Sequence, residues 1–305
     1  MITIYLLLVL MIGIWSFSFV LVDITFEFML PLSVVLYRFI IASLTYLLID
    51  IFFFTKKKLK NEVLQENPKY SKNDWIMIFL SSFFGVSLFF LAQYASIELI
   101  GPSLPALFVC LLSPVFISLL ALFLFKEKLS KKKIFGFGIA SVGAFILITG
   151  GNIQNLTLES PNFLGYFLAL LTPFQWALYS SFTKKVSKKA SKMKLNKYIS
   201  YFGVLEVLVI ILLTNQFTDF IENIINPIAF LTAIYLGIGC YVLGYYIWQK
   251  SQSILKSFKV ASFLYIEPFL TLIFSMLMQR SETIVPWNVI GGLIVLGAVL
   301  LINYK

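Results

Sequence analysis

The chain of 305 residues contains no histidine and only two cysteines. The missing imidazole excludes Ser-His and Cys-His nucleophile pairs, zinc sites built on imidazole, and histidine proton relays. Cys110 and Cys240 each stand inside an apolar run, so no disulfide framework is expected. Charge is scarce as well: 12% of residues are charged and 60% hydrophobic, with a mean hydropathy of +0.93. A soluble domain carries about a quarter charged residues, so water is not the main solvent for this chain. The loops hold no phosphate-binding glycine motif, no CxxC pair and no cluster of carboxylates. Neither a cofactor nor a metal is therefore expected, and a catalytic site would lack a concentrated set of groups. Acids are outnumbered, 14 against 24 basic residues, for a net charge of +10. In a soluble protein that balance would point to nucleic acid. Here the lysines sit between apolar runs, where topology and the lipid surface account for them, and no nucleic-acid partner is expected. The start Met1-Ile2-Thr3 turns apolar without a positive n-region, so the first segment reads as a retained helix rather than a signal peptide.

What is present is a series of apolar runs, each long enough to cross ~30 Å of hydrocarbon. They predict an all-α polytopic membrane protein with ten transmembrane helices, over 3–22, 31–54, 75–97, 104–125, 134–150, 163–183, 197–214, 228–248, 260–278 and 286–303. The lysines set an orientation. With the N-terminus in the cytoplasm and strict alternation, 22 of the 24 basic residues fall on the cytoplasmic side: Lys56 to Lys72, Lys126 to Lys133, Lys184 to Lys197, Lys250 to Lys259, and Lys305. Arg280 falls outside and Arg38 within a helix. One missed or extra span would scramble this asymmetry. The expectation is a multi-pass protein of the cell membrane (plasma or inner) with both termini cytoplasmic. The outer loops then carry Asp23, Glu27, Glu98, Glu159, Asp219, Glu222 and Glu282, and the glycosylation sequon Asn155-Leu156-Thr157.

The two halves share a pattern. Tyr94 precedes Pro114 by 20 residues and Gly143-Ala144 begins 29 after it; Trp248 precedes Pro268 by 20, and Gly297-Ala298 begins 29 after it. Five helices is an odd number, so a second five-helix copy enters the membrane upside down. The loop after Pro114 is strongly basic, whereas its counterpart after Pro268 has Arg280 beside Glu282. The expectation is two inverted repeats, 1–150 and 151–305, with Pro114 and Pro268 related by a pseudo-two-fold axis. Inverted repeats are a mark of secondary transporters, whose substrate site lies near the midplane.

The residues also carry a resemblance. Trp15 stands in the first helix, and Pro31 and Arg38 in the second. The fourth segment has Ala106, then Pro114, then Glu127 in the loop, and a glycine-rich fifth helix follows from Gly136 to Gly143. The second half repeats this as Ala261, Tyr265-Ile266-Glu267-Pro268, Glu282, and Gly291 to Gly297. This ordered set, over essentially the whole chain, resembles the drug/metabolite transporter superfamily of the EamA type. The lysine-rich stretch from Lys56 to Lys72 is longer than is typical of that family. The resemblance implies the fold of two five-helix repeats and the export of a small metabolite.

Arg38, Glu206 and Glu267 lie within spans, where each charge is costly. None has an opposite charge three or four residues away in its own helix. Each needs a partner on another helix, a water-filled cavity or a substrate. A second set is aromatic or amide-bearing: Trp15, Gln93, Tyr94, Gln175, Trp176, Tyr179, Tyr241, Tyr245, Trp248 and Tyr265. Tyr241 and Tyr245 share a helix face and could stack on a ring or cation, while Trp248 is placed as an interfacial anchor. Pro114 and Pro268 each deprive a carbonyl of its donor, at Cys110 and Leu264. Gly136, Ala140 and Ala144 form a small-residue ridge suited to close helix packing or, alternatively, to a dimer face.

These readings converge on a transporter of a small polar or amphipathic metabolite, with amino acids and related compounds as the leading class. A central cavity is expected, walled by aromatics of the third, sixth and eighth helices. It should hold Arg38 with at least one of Glu206 and Glu267. Arg38 could hold a substrate carboxylate; a buried glutamate could hold an amine or carry a coupling proton. A passive facilitator, or a sensor or membrane-embedded enzyme, is the alternative, and either a monomer or a homodimer is compatible.

Overall fold

The structure is a computed structural model. It describes residues 2–59, 70–125, 131–152, 154, 157–187, 191–255, 260, 262–280 and 284–303. Glu127, Ala261, Glu282 and the sequon residues Asn155 and Leu156 lie outside the described residues. So do Lys60, Lys69, Lys126, Lys128, Lys188, Lys189, Lys256, Lys259 and Lys305.

Among the described residues ten main helical segments follow one another: α1 (Ile2–Thr25), α2 (Pro31–Leu59), α3 (Lys72–Ile100), α4 (Ser103–Phe125), α5 (Lys131–Thr149), α6 (Phe163–Val186), α7 (Lys192–Leu213), α8 (Pro227–Ile254), α9 (Glu267–Leu277) and α10 (Pro286–Asn303). No strand occurs among the described residues. α1, α3, α7 and α8, with the Pro31–Phe52 part of α2, are long and apolar enough to cross a membrane; α4, α5, α9 and α10 hold shorter apolar stretches. A short helix, Phe217–Asn223, lies between α7 and α8. The outward surface is apolar, with Leu6, Leu48, Leu213 and Met276 largely exposed. This is the surface a lipid solvent calls for.

The sequence fixes many helix ends locally. Ser71 and Asp74 cap α3 reciprocally: Asp74 N–H donates to Ser71 Oγ at 3.3 Å, and Ser71 N–H to Asp74 Oδ2 at 2.9 Å. Asn226 Oδ1 accepts from Ile228 and Ala229 N–H at the start of α8, where Pro227 loses nothing by lacking a donor. α3 ends on Gly101 with φ of 77°, and α5 on Gly150 and Gly151 with φ of 58° and 81°, a backbone that glycine adopts without strain.

The two prolines expected to be equivalent differ in setting. Pro114 lies inside the continuous α4, whereas Pro268 stands in the first turn of α9 after a 3₁₀ turn, Ser262–Ile266. A ring that fixes φ and needs no N–H partner suits a first turn, so the single span expected over 260–278 is broken there. Pro173 is also inside a helix, α6, and the sequence reading passed over it.

Helix pairing is symmetric between the halves. α5 packs on α10, α2 on α7, and α4 on α9. The contact of α4 with α6 is mirrored by that of α9 with α1. Likewise α3–α6 is mirrored by α8–α1, and α2–α8 by α7–α3. Exchanging each helix with the one five places on returns each of these contacts. The α5–α10 contact is backbone to backbone. A Cβ on Gly291 would lie 2.3 Å from Leu147 N, and one on Gly143 2.8 Å from Val295 N. Gly136 and Ala140 of the predicted ridge are buried and Ala144 is partly buried.

Both central helices contain a wide turn with π-type hydrogen bonding. In α3 it covers Phe83–Ser87, where Leu88 N–H reaches back to Phe83 O; in α8 it covers Tyr235–Tyr245. Such segments recur at functional sites.

Candidate functional site

A cavity lies within the bundle. α1 contributes Trp15, Ser18 and Phe19, α2 Arg38, and α3 Phe89, Phe90 and Gln93. α4 supplies Val109, Cys110 and Ser113 across from Trp176 of α6, Cys240 and Tyr245 of α8, and Leu264 with Glu267. The walls are largely aromatic and aliphatic, with few polar groups, as in small-molecule sites generally.

Arg38 is 3% exposed. Its Nη1 donates to Tyr94 Oη at 2.6 Å and its Nη2 reaches Leu236 O, in the wide turn of α8, at 3.4 Å. The guanidinium lies over the Phe90 ring, 4.1 Å from the centroid, a cation–π contact that is stronger when desolvated. Its Nε has no partner, and no ion pair among the described residues includes Arg38. Glu267 is equally buried, at 3%. The Cys110 thiol is within hydrogen-bonding reach of it, and Oε2 has no partner.

Trp15 is held by its indole N–H, which donates to Cys240 O at 3.0 Å. Gly244 makes room for it: a Cβ there would sit 2.4 Å from Trp15 Nε1. Around it stand Trp176, Tyr245 and Trp248 with ring centroids 5.7 to 5.9 Å away.

Six predicted site residues therefore share the cavity: Trp15, Arg38, Gln93, Trp176, Tyr245 and Glu267. Three do not line it. Tyr94 stands behind Arg38 as its hydrogen-bond acceptor. Tyr179 is fully buried over Gly85, where a Cβ would lie 2.2 Å from its ring, and its hydroxyl accepts from Gln249 Nε2 at 3.3 Å. Tyr241 packs on Tyr245 with tilted rings whose centroids are 4.5 Å apart, but its hydroxyl turns to Asn196 O at 3.0 Å. Glu206 faces α3 instead, with Oε2 accepting from Ser82 and Ser87. Trp248, expected as an interfacial anchor, is 1% exposed, because the inner end of α8 lies within the aromatic cluster rather than at its rim. The sequence reading missed Phe89, Phe90, Val109 and both cysteines as wall residues; apolar side chains in an apolar run carry no mark of which way they face.

At one end of the bundle Arg280 Nε donates to Asp23 Oδ2 at 2.6 Å and Nη1 to Glu27 Oε1 at 2.5 Å. Burial works against the Arg280 charge, but the bonds to Glu27 and Asp23 outweigh it and hold its pKa above the ordinary value. At the other end Lys197 pairs with Asp50 at 2.7 Å. The outlying arginine and two acids assigned to the same side thus meet.

The sequence profile of the EamA-like transporter family matches the chain twice, over residues 2–149 and 163–304. A relative from Archaeoglobus fulgidus, described as an uncharacterized transporter, is 25% identical, the alignment covering 99% of this chain and 97% of the relative. Two proteins described as "Probable amino-acid metabolite efflux pump" are each 24% identical. The one from Salmonella typhimurium aligns over 95% of this chain and 91% of its own, the one from Escherichia coli over 97% and 91%. A solved crystal structure covers 99% of this chain and 96% of its own at a TM-score of 0.60 and 15% identity, a likeness of fold alone.

Proposed function

The chain belongs to the EamA-like transporter family, and from that premise we propose that it exports a small zwitterionic metabolite, an amino acid or a close relative, by alternating access. That it is a multi-pass membrane transporter follows from the family and its apolar helices. The substrate, direction and coupling are our reading. The observation that carries it is the pair Arg38 and Glu267: two buried, oppositely charged groups on the wall of one cavity, each keeping a polar atom without a partner. Arg38 is suited to a carboxylate, with Nε and Nη2 able to present a planar fork. Glu267 is suited to an ammonium, and Trp15, Trp176, Phe90 and Tyr245 to an apolar side chain between them. The descriptions of the Salmonella and Escherichia relatives support the same substrate class.

The repeats are taken as 1–150 and 151–305, a division the two separate family matches and the symmetric pairing support. The site is read as a cell-membrane one, with both termini in the cytoplasm and no catalytic step. Glu267, when no ammonium is present, is the group placed to carry a coupling proton. The test is uptake of labelled amino acids into proteoliposomes with and without an imposed pH gradient. Gradient-driven transport lost in Glu267→Gln supports proton coupling. Transport indifferent to both leaves a facilitator. No movement of any small solute ends the transporter reading of this cavity.

A further inference from the structure

Glu206 stands away from the cavity, on the face of α7 turned to α3. Its Oε2 accepts hydrogen bonds from Ser87 Oγ at 2.5 Å and Ser82 Oγ at 3.1 Å. Ser82 Oγ is also 3.0 Å from Ile199 O. Glu206 Oε1 is buried without a partner, and no ion pair among the described residues includes Glu206. Ser87 Oγ, Glu206 Oε2, Ser82 Oγ and the Ile199 carbonyl are thus linked oxygen to oxygen, with Oε1 of the same carboxylate left unpaired.

The backbone is built around this point. Ser82 and Ser87 bracket the wide turn Phe83–Ser87. Gly203 of α7 lets that turn come close, since a Cβ there would lie 2.5 Å from Val86 Cγ1 and 3.4 Å from Ser82 Oγ. On the other side Gly85 receives Tyr179 of α6. The wide turn thus lies next to a carboxylate, and such turns recur at functional sites.

We propose that Glu206, Ser82, Ser87 and the Ile199 carbonyl form a binding site for a small alkali cation, sodium, between α3 and α7. Hard cations take oxygen ligands. One carboxylate balances one positive charge, whereas a divalent ion calls for more. The two hydroxyls now donating to Oε2 can rotate to offer lone pairs without moving a heavy atom. A proton on Oε2 would donate to Ser87 Oγ but leave Oε1 unpaired, whereas a cation held by the carboxylate can engage both oxygens. Coupling-ion sites in secondary transporters likewise lie beside irregular helix backbone. Use of the ion to drive transport rests on the transporter reading; its binding does not.

The test is therefore a binding test on the full-length protein in lipid nanodiscs. Thermal unfolding is followed in choline chloride, with sodium chloride replacing it at constant ionic strength, and labelled sodium is competed with unlabelled salt. Sodium should raise the Tm saturably. Glu206→Gln should abolish the rise, and Ser87→Ala and the milder Ser82→Ala should shift its midpoint to at least tenfold higher sodium. Equal stabilisation by choline, a sodium response retained in Glu206→Gln, or a Tm that answers to pH alone would overturn the site. Should the Gln variant fail to fold, the serine variants and the labelled-sodium competition on the unaltered protein decide. A chain that binds sodium and moves no solute leaves this site standing and removes the transporter reading. One that transports without binding sodium does the reverse.

Discussion

Arg38 and Glu267 line the same cavity, yet no hydrogen bond or ion pair among the described residues joins them. Had they closed on each other, they would serve as an interhelical tie. Apart, each is left for something that enters. Removing either charge should therefore depress transport more than it depresses stability. Arg38→Gln and Glu267→Gln should each lower the initial rate at least about tenfold, equivalent to ~1.4 kcal/mol, with a Tm within a few degrees of the parent. Measurement of both on the same preparation separates this from a structural pair, whose loss would unfold the bundle.

Tyr94 is the near partner of Arg38, at 2.6 Å. Tyr94→Phe keeps the ring and removes the acceptor, leaving a buried guanidinium with one long bond to Leu236 O. Hydrogen bonds to charged groups contribute ~1.5–3 kcal/mol, so denaturation should show a loss in that range. A loss under about 0.5 kcal/mol would mean that cation–π contact with Phe90 suffices to hold Arg38.

Gly291 has no room for a side chain. Gly291→Ala would drive a methyl into Leu147 main-chain atoms, with N at 2.3 Å and Cα at 2.7 Å. Backbone cannot yield as a side chain does, and overpacking costs ~1–3 kcal/mol. A lower Tm is expected, with unchanged apparent substrate affinity in the folded fraction. Gly138→Ala, where a Cβ meets nothing within 4 Å, is the control and should leave the Tm unchanged.

The orientation read from the lysines can be checked with single cysteines in a Cys110→Ala, Cys240→Ala background. An impermeant thiol reagent should reach Ser253→Cys from the cytoplasmic side and Glu159→Cys from the opposite side; both residues are exposed. Labelling of the two from one side would overturn the topology.

The sequence was informative where a residue contradicts its surroundings. A charge inside an apolar run marks itself, which is why Arg38, Glu206 and Glu267 were found, and runs of twenty apolar residues bounded by lysines fixed the spans. Depth and facing were poorly legible. In a helix apolar on every side, the periodicity that separates core from surface is absent, so Phe89, Phe90, Cys110 and Cys240 could not be told from lipid-facing neighbours. Trp248 was misjudged because position along a helix was taken for nearness to the membrane surface. Tyr94, Tyr179 and Tyr241 were correctly placed in the interior but assigned one layer too far forward. The wide turns of α3 and α8 show themselves only in the fold, where Gly85 and Gly203 admit Tyr179 and Val86 at the first and Gly244 admits Trp15 at the second.

No described side chain of α5 or α10 lines the cavity, although their glycine seam brings backbone against backbone. Selection acts on these two tasks at separate addresses. The seam tolerates almost no variation in size, while Phe90, Val109, Trp176 and Leu264 can change one at a time without disturbing it. A lineage can then drift from one solute to another by exchanging wall residues over an unchanging keel.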